Sequence, residues 1–283
     1  MKFVSFSHRN KESWGAVVGD GIVDLGAQFP TLADFIASAD FAKRDQIVAA
    51  HKPTLKLSDI SYLPVIPRPE KIICAVRNYL DHHKEAVAHG MDRQLTEFPP
   101  IFLRVWRSQV GHNQPVIRPK VSTHLDWEGE LAVIIGKGGR HIPESEAMSH
   151  VAGYSIYNDV SVRDYQRHAQ QIAAGKNFVG TGPFGPWLVT TDEVPDPTHL
   201  KLETRVNGET VQSSDTSLLI FSIERLISYS SDIFDLVPGD VIATGTPAGV
   251  GFTRKPPIFL KAGDVVEVEI EKLGALSNPV VDE

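Results

Sequence analysis

Short apolar runs, each bounded by Gly, Pro, Asn or Asp, dominate the chain from Glu70 onward and read as β-strands. They fall at 71–76, 100–105, 130–136, 152–160, 186–190, 200–212, 240–245 and 264–274. Asn207-Gly208 stands between two β-forming stretches and predicts a tight hairpin. Pro238-Gly239-Asp240 and Ala262-Gly263-Asp264 each sit where a turn enters a strand. Helical patterning is scarcer, at Asp81–Gly90, Ser161–Ala174 and Leu218–Ser230. Residues 1–66 read as a small N-terminal domain, with a hairpin-like pair of apolar runs followed by a helical stretch, Leu32–Ala50, that begins near Pro30 or Thr31. Pro64, Pro67 and Pro69 then punctuate the chain and predict a linker into a main domain over 67–283. Many strands with occasional helices predict a β-rich α+β fold rather than a βαβ alternation.

Composition narrows the function classes. With 283 residues, 42% hydrophobic and 22% charged, the chain builds its own core and is not disordered. The formal charge of −7 argues against nucleic acid as a partner, because phosphate binding needs a basic face. The single cysteine, Cys74, lies in an apolar run, which predicts a buried thiol and excludes a disulfide framework or a Cys-rich zinc site. No apolar stretch is long enough to span a bilayer, so no membrane partner is expected. The N-terminus reaches charged residues too early for a secretory leader, which makes the cytoplasm the expected compartment.

The most informative segment is Asp126-Trp127-Glu128-Gly129-Glu130, followed by Leu131–Ile135. Read as one strand, it places Asp126, Glu128 and Glu130 on one face, successive side chains being roughly 6.5–7 Å apart. Three acids that close repel, and burying them uncompensated costs several kcal/mol. A hard divalent cation removes both penalties, and oxygen ligands without Cys or His suit Mg²⁺, Mn²⁺ or Ca²⁺ better than Zn²⁺. A plain solvated acidic edge is the bland alternative. A second acidic element follows at Asn158-Asp159, where Asp159 offers a third ligand. Ser161 and Asp164 have the spacing of a helix-starting capping box, after which Arg163, Gln166 and Gln170 recur on one helix face.

The chain resembles the fumarylacetoacetate hydrolase family. The matching pieces run in order: Asn78-Tyr79-Leu80-Asp81-His82 with Glu85; Phe102-Leu103-Arg104; Asp126–Glu130; and Asn158-Asp159 with Arg163-Asp164 and Gln166. Gly175-Lys176-Asn177-Phe178, Gly185-Pro186-Trp187 and the stretch from Pro238 to Gly251 complete the set. The resemblance implies a rolled mixed β-sandwich with a small N-terminal α/β domain, usually dimeric. It implies a metal held by Glu128, Glu130 and Asp159, and catalytic His82, Glu85 and Lys176, with His82 and Glu85 as a dyad on a short helix. Arg104, Arg163, Gln166 and Thr246 are implied around the substrate. The family spacing favours His82, with the adjacent His83 as the alternative. Two positions depart from the family pattern: Arg104 replaces a common Lys, and Val179 replaces an Asp that often follows the lysine equivalent to Lys176.

These residues suit small 2-oxo acids, with Mg²⁺ or Mn²⁺ as cofactor, Ca²⁺ as a further candidate and no organic cofactor. The leading expectation is C–C hydrolysis of an acylpyruvate in aromatic catabolism, with His82 activating water and the metal holding an enolate. The alternatives are an isomerase or decarboxylase acting on 2-hydroxy-diene-dioates or oxaloacetate-like acids, and a non-catalytic metal- or ligand-binding module. The glycine-rich stretch Thr244–Gly251 is expected to let backbone approach the ligand. Everything rests on Glu128, Glu130 and Asp159 converging without being already neutralised by basic side chains.

Overall fold

A computed structural model describes residues 1–90 and 95–283. Its spine is a twelve-stranded mixed sheet. Five neighbouring strands of that sheet carry the site: Gly182–Thr190, Val151–Asn158, Gly129–Ile135, Val241–Ala243 and Ile72–Ala75, in that spatial order. All pair antiparallel except Val241–Ala243 with Ile72–Ala75, which run parallel. The N-terminal strands extend the same sheet, because Lys2–His8 pairs with Gly182–Thr190.

Every residue of Gly129–Ile135 is buried. Leu131, Val133 and Ile135 enter one core with the helix Ile223–Ile233 and with Leu202, Val268 and Ile270 of a second, five-stranded sheet. Ala132 and Ile134 enter another core, with Phe3, Trp14, Leu32 and Phe35 from the N-terminal segment. A strand covered on both faces reads as an unbroken apolar run, which is why its sequence shows no alternation past Glu130. The two packed sheets, with few helices, form the β-rich α+β sandwich that the sequence predicts.

Local chemistry sets the other elements. Asn207 (φ 53°) and Gly208 (φ 83°) close the predicted hairpin between Lys201–Val206 and Glu209–Asp215. Thr31 accepts the Asp34 N–H and starts a helix at Leu32. That helix ends at Ala37, and the stretch to Ala49 is a 3₁₀ turn followed by a second short helix rather than one continuous helix. The predicted helix at 218–230 begins at Ile223, where Ser222 caps it.

The predicted helix Ser161–Ala174 is two separate turns, Arg163–Gln166 and Ile172–Gly175. Ser161 does not cap it. It belongs to a short strand, and its hydroxyl donates to Glu128 Oε1 at 3.2 Å. Among the described residues no helix is long and apolar enough to cross a membrane.

Candidate active site

The predicted strand through the acidic motif is broken. Leu125–Asp126 pairs with Ser161–Val162 in a separate two-stranded ladder, and the main strand starts only at Gly129. Between them Asn158 Oδ1 accepts the Glu128 N–H at 2.9 Å, and Asp159 N–H donates to the Glu128 carbonyl at 2.9 Å. The break separates the acids that strict alternation would have aligned. Asp126 turns away to accept N–H groups from Gly251 (2.7 Å) and Phe252 (3.0 Å) and Arg163 Nε (2.8 Å). Glu128, Glu130 and Asp159 converge instead, with ligand oxygens within 4.8 Å of one another, all buried.

Basic side chains already engage two of these three. Lys176 Nζ donates to Glu128 Oε2 (2.5 Å), to Asp159 Oδ2 (2.6 Å) and to the Asp159 carbonyl (3.0 Å). Arg163 Nη1 lies 2.7 Å from Glu128 Oε1, and Arg104 Nη1 donates to Asp159 Oδ1 at 2.5 Å. Burial alone would raise the Glu128 pKa, but Lys176 and Arg163 outweigh it and hold the carboxylate well below its usual range. Burial likewise works against the Lys176 ammonium, and Asp159 and Glu128 keep it charged.

Glu130 differs. Gly245 N–H donates to it at 2.9 Å, and no basic side chain among the described residues pairs with it. Burial, and then Asp159 and Glu128, push its pKa well up. Four buried acids (Asp126, Glu128, Glu130, Asp159) thus meet three buried cations (Arg104, Arg163, Lys176), and among the described residues Glu130 is the acid left without a cation partner. A cation bound by an all-oxygen set removes that penalty, so the donors fit a hard divalent ion although two of them are already paired.

The triad forms the inner wall of a cavity of about 510 Å³ through Glu128. His82, Arg163, Gln166 and Lys176 also line it, so with Glu128 five of the sequence-predicted residues meet there. His82 is on the helix Leu80–Ala88, and its Nδ1 is 3.1 Å from Glu85 Oε2. Glu85 is fixed in turn by Gly249 N–H (3.1 Å) and the Thr253 hydroxyl (2.7 Å). Burial alone would raise its pKa, yet the hydrogen bonds from His82, Thr253 and Gly249 bring it below the usual carboxylate value. With Nδ1–H donated to a carboxylate, Nε2 is left as the proton acceptor. His83 also lines the cavity, but the dyad partner belongs to His82.

Other predicted residues stand behind this surface. Arg104 does not line the cavity; it is buried behind Asp159, where it also reaches Thr181 Oγ1 (3.0 Å) and the Val160 carbonyl (3.2 Å). Thr246 donates to the Gly129 carbonyl (3.0 Å) and accepts from Gln212 (2.9 Å), a strut beneath the strand rather than a cavity group. Val179 is 69% exposed, and Lys176 is held by Glu128 and Asp159 without it. The glycine-rich stretch does approach closely, but toward the protein's own acids: Gly245, Gly249 and Gly251 donate N–H groups to Glu130, Glu85 and Asp126. A Cβ at Gly251 would sit 2.0 Å from the Ile258 carbonyl.

Phe252, Arg77 and Arg167 line the cavity unpredicted. Arg167 follows Arg163 by four residues, a spacing already visible on the helical face that gave Gln166 and Gln170. Phe252 and Arg77 carry no such signal. Arg163 Nη2 is buried and, among the described residues, has no hydrogen-bond partner. A buried guanidinium N–H at a cavity wall is a donor waiting for a carboxylate.

The model of the fumarylacetoacetate (FAA) hydrolase C-terminal region matches residues 71–281. The chain belongs to the fumarylacetoacetate hydrolase family. Within the family it is 44% identical, over 271 residues, to the human mitochondrial oxaloacetate tautomerase FAHD2A, covering 93% of this chain and 85% of that one. It is 43% identical over 226 residues to the oxaloacetate tautomerase YisK of Bacillus subtilis strain 168, covering 79% and 74%. The crystal structure of maleylpyruvate hydrolase from Sphingobium sp. SYK-6, in complex with manganese (II) ion and pyruvate, superposes with a TM-score of 0.81. That match is at 29% identity and covers 100% of this chain and 99% of that one. The chain is an enzyme of this family, which removes the non-catalytic module from consideration.

Proposed function

We propose that this fumarylacetoacetate hydrolase family enzyme interconverts the keto and enol forms of a small dicarboxylic 2-oxo acid, with oxaloacetate as the nearest fit. The observation that carries this reading is the charge of the cavity. Among the described residues its lining sets Arg163, Arg167, Lys176 and two histidines against one carboxylate, Glu128, which is itself paired, and Arg167 has no carboxylate partner. Such a wall selects a dianion over a neutral or singly charged ligand. The tautomerase names of the relatives support the same reaction and favour it over the C–C hydrolysis expected first.

Mg²⁺ or Mn²⁺ held by Glu128, Glu130 and Asp159 would supply Lewis-acid stabilisation of negative charge on the substrate's carbonyl oxygen. The chain's own groups do the rest. Arg163, with its unpaired Nη2, anchors the carboxylate next to the carbonyl, while Lys176, its three donors taken by Glu128 and Asp159, adds positive charge beside it. His82 Nε2 takes a proton from carbon 3, which the neighbouring carbonyl acidifies, and the bonding pair moves toward the carbonyl oxygen. Glu85 stabilises the imidazolium so formed. The imidazolium gives that proton back, directly or through water, to the oxygen, which completes the enol and regenerates the base; the reverse sequence restores the ketone.

The test follows the ultraviolet absorbance of enol-oxaloacetate with Mg²⁺ present, alongside product analysis on a panel of acylpyruvates. Faster loss of the enol than in buffer, without cleavage products, is expected. Cleavage of an acylpyruvate with no effect on the enol would overturn the reading in favour of hydrolysis.

A further inference from the structure

We propose that Arg167 reads the distal carboxylate of the substrate and thereby sets the preference for dicarboxylic over monocarboxylic acids. The inference rests on the tautomerase reading for the identity of the reaction, but not for the ligand chemistry. Arg163 and Arg167 are four residues apart and both lean on the ring of Phe252, their guanidinium carbons 4.3 and 5.3 Å from its centroid. All three side chains line the cavity. Like charges four residues apart repel. Arg163 is compensated by Asp126 and Glu128. Arg167 is exposed and forms no ion pair with any carboxylate among the described residues.

The two guanidiniums therefore have different tasks. Arg163 is buried beside the triad, at the end where the 2-oxo carboxylate belongs. Arg167 stands at the rim, stacked on an aromatic face that fixes a planar fork without satisfying its N–H groups. A second carboxylate reaching outward from the inner anchor meets this fork and relieves the repulsion between the two arginines. A ligand with a methyl group in that place gains nothing from it.

Malate and lactate are stable 2-hydroxy acids that differ in the distal carboxylate. Titration calorimetry with Mg²⁺-loaded protein should show malate binding at least tenfold more tightly than lactate. Arg167→Leu should bring that ratio close to one with lactate affinity unchanged, and Arg167→Lys should keep part of it. With oxaloacetate, Arg167→Leu should raise KM about tenfold and leave kcat within threefold.

A malate preference that survives Arg167→Leu, or its absence in the unaltered protein, would overturn the assignment. Loss of lactate and malate affinity in parallel would overturn it as well, since the residue would then be supporting the cavity as a whole. An intact, Arg167-dependent malate preference without enol turnover would overturn the tautomerase reading and leave this assignment standing.

Discussion

The inner and outer halves of the cavity are built on different terms. At the inner end, Asp126, Glu128, Asp159, Arg104, Arg163 and Lys176 are buried and interlocked, and Glu130 is held by a backbone N–H. At the outer end, His82 and Glu85 ride on a nine-residue helix with only two buried side chains, and Arg167 is exposed. Buried ion networks are costly to break, whereas a short helix docked through one carboxylate has little holding it. The inner half fixes where charge is stabilised. On the proposed reading, the outer half decides which proton moves and which ligand is accepted.

Substitutions can break this contrast, and the largest effects belong to the inner end. Glu130→Ala or Asp159→Ala should abolish tight Mn²⁺ binding by calorimetry and lower kcat/KM by roughly 10³-fold, the equivalent of several kcal/mol. Full metal-dependent turnover in either variant would refute the ligand assignment. Arg104→Ala takes one of two cations from the buried Asp159 carboxylate, leaving Lys176, and should cost roughly 3 kcal/mol in urea denaturation. A loss below about 1 kcal/mol would mean that Arg104 does not carry the inner network.

At the outer end the expected signature is kinetic. His82→Ala should lower kcat by roughly 10²–10⁴-fold while leaving Mn²⁺ affinity unaltered. Equal losses of metal binding and turnover would erase the proposed division between the two halves.

A milder effect concerns acid. Glu85 has a folded pKa below its usual 4.5, so the stability it contributes is complete above about pH 4.5 and is lost as pH falls through the lower folded value. Hydrogen exchange in the helix Leu80–Ala88 should speed up on acidification, before the central sheet responds, and Glu85→Gln should remove that dependence. The smallest change is expected beneath the sheet. Thr246→Val removes the donor to the Gly129 carbonyl and should cost about 1 kcal/mol with little effect on KM.

The same contrast marks what the sequence could disclose. The acidic motif running straight into an apolar strand makes Glu128 and Glu130 legible, and the ordered family motifs select Asp159 rather than Asp126 as their companion and bring in His82, Glu85 and Lys176. Asp126 does not share the face of Glu128 and Glu130, because alternation presumes a continuous strand and Asn158 interrupts it at Glu128. Ser161 had the spacing of a cap, but its hydroxyl serves Glu128. Arg104 and Thr246 showed their polarity in sequence but not their depth, since burial is decided by distant strands. Phe252 reaches the cavity from the 3₁₀ turn Gly251–Thr253 and Arg77 from a bend, and tertiary packing sets the path of both. The strands were legible wherever turn residues bound them. Helix lengths were not, because short turns and 3₁₀ segments carry the same local patterning.

The backbone amides of Gly245, Gly249 and Gly251 have a consequence for how the enzyme can change. A single seven-residue strip of main chain sets the height of Glu130 in the acidic triad, of Glu85 behind His82 and of Asp126, which steadies Arg163. These three supports cannot be retuned one at a time by exchanging side chains, because the donor is the peptide itself. A shift of that strip would detune proton transfer, ion binding and anion capture together, so variation in substrate range is expected at the rim and not here.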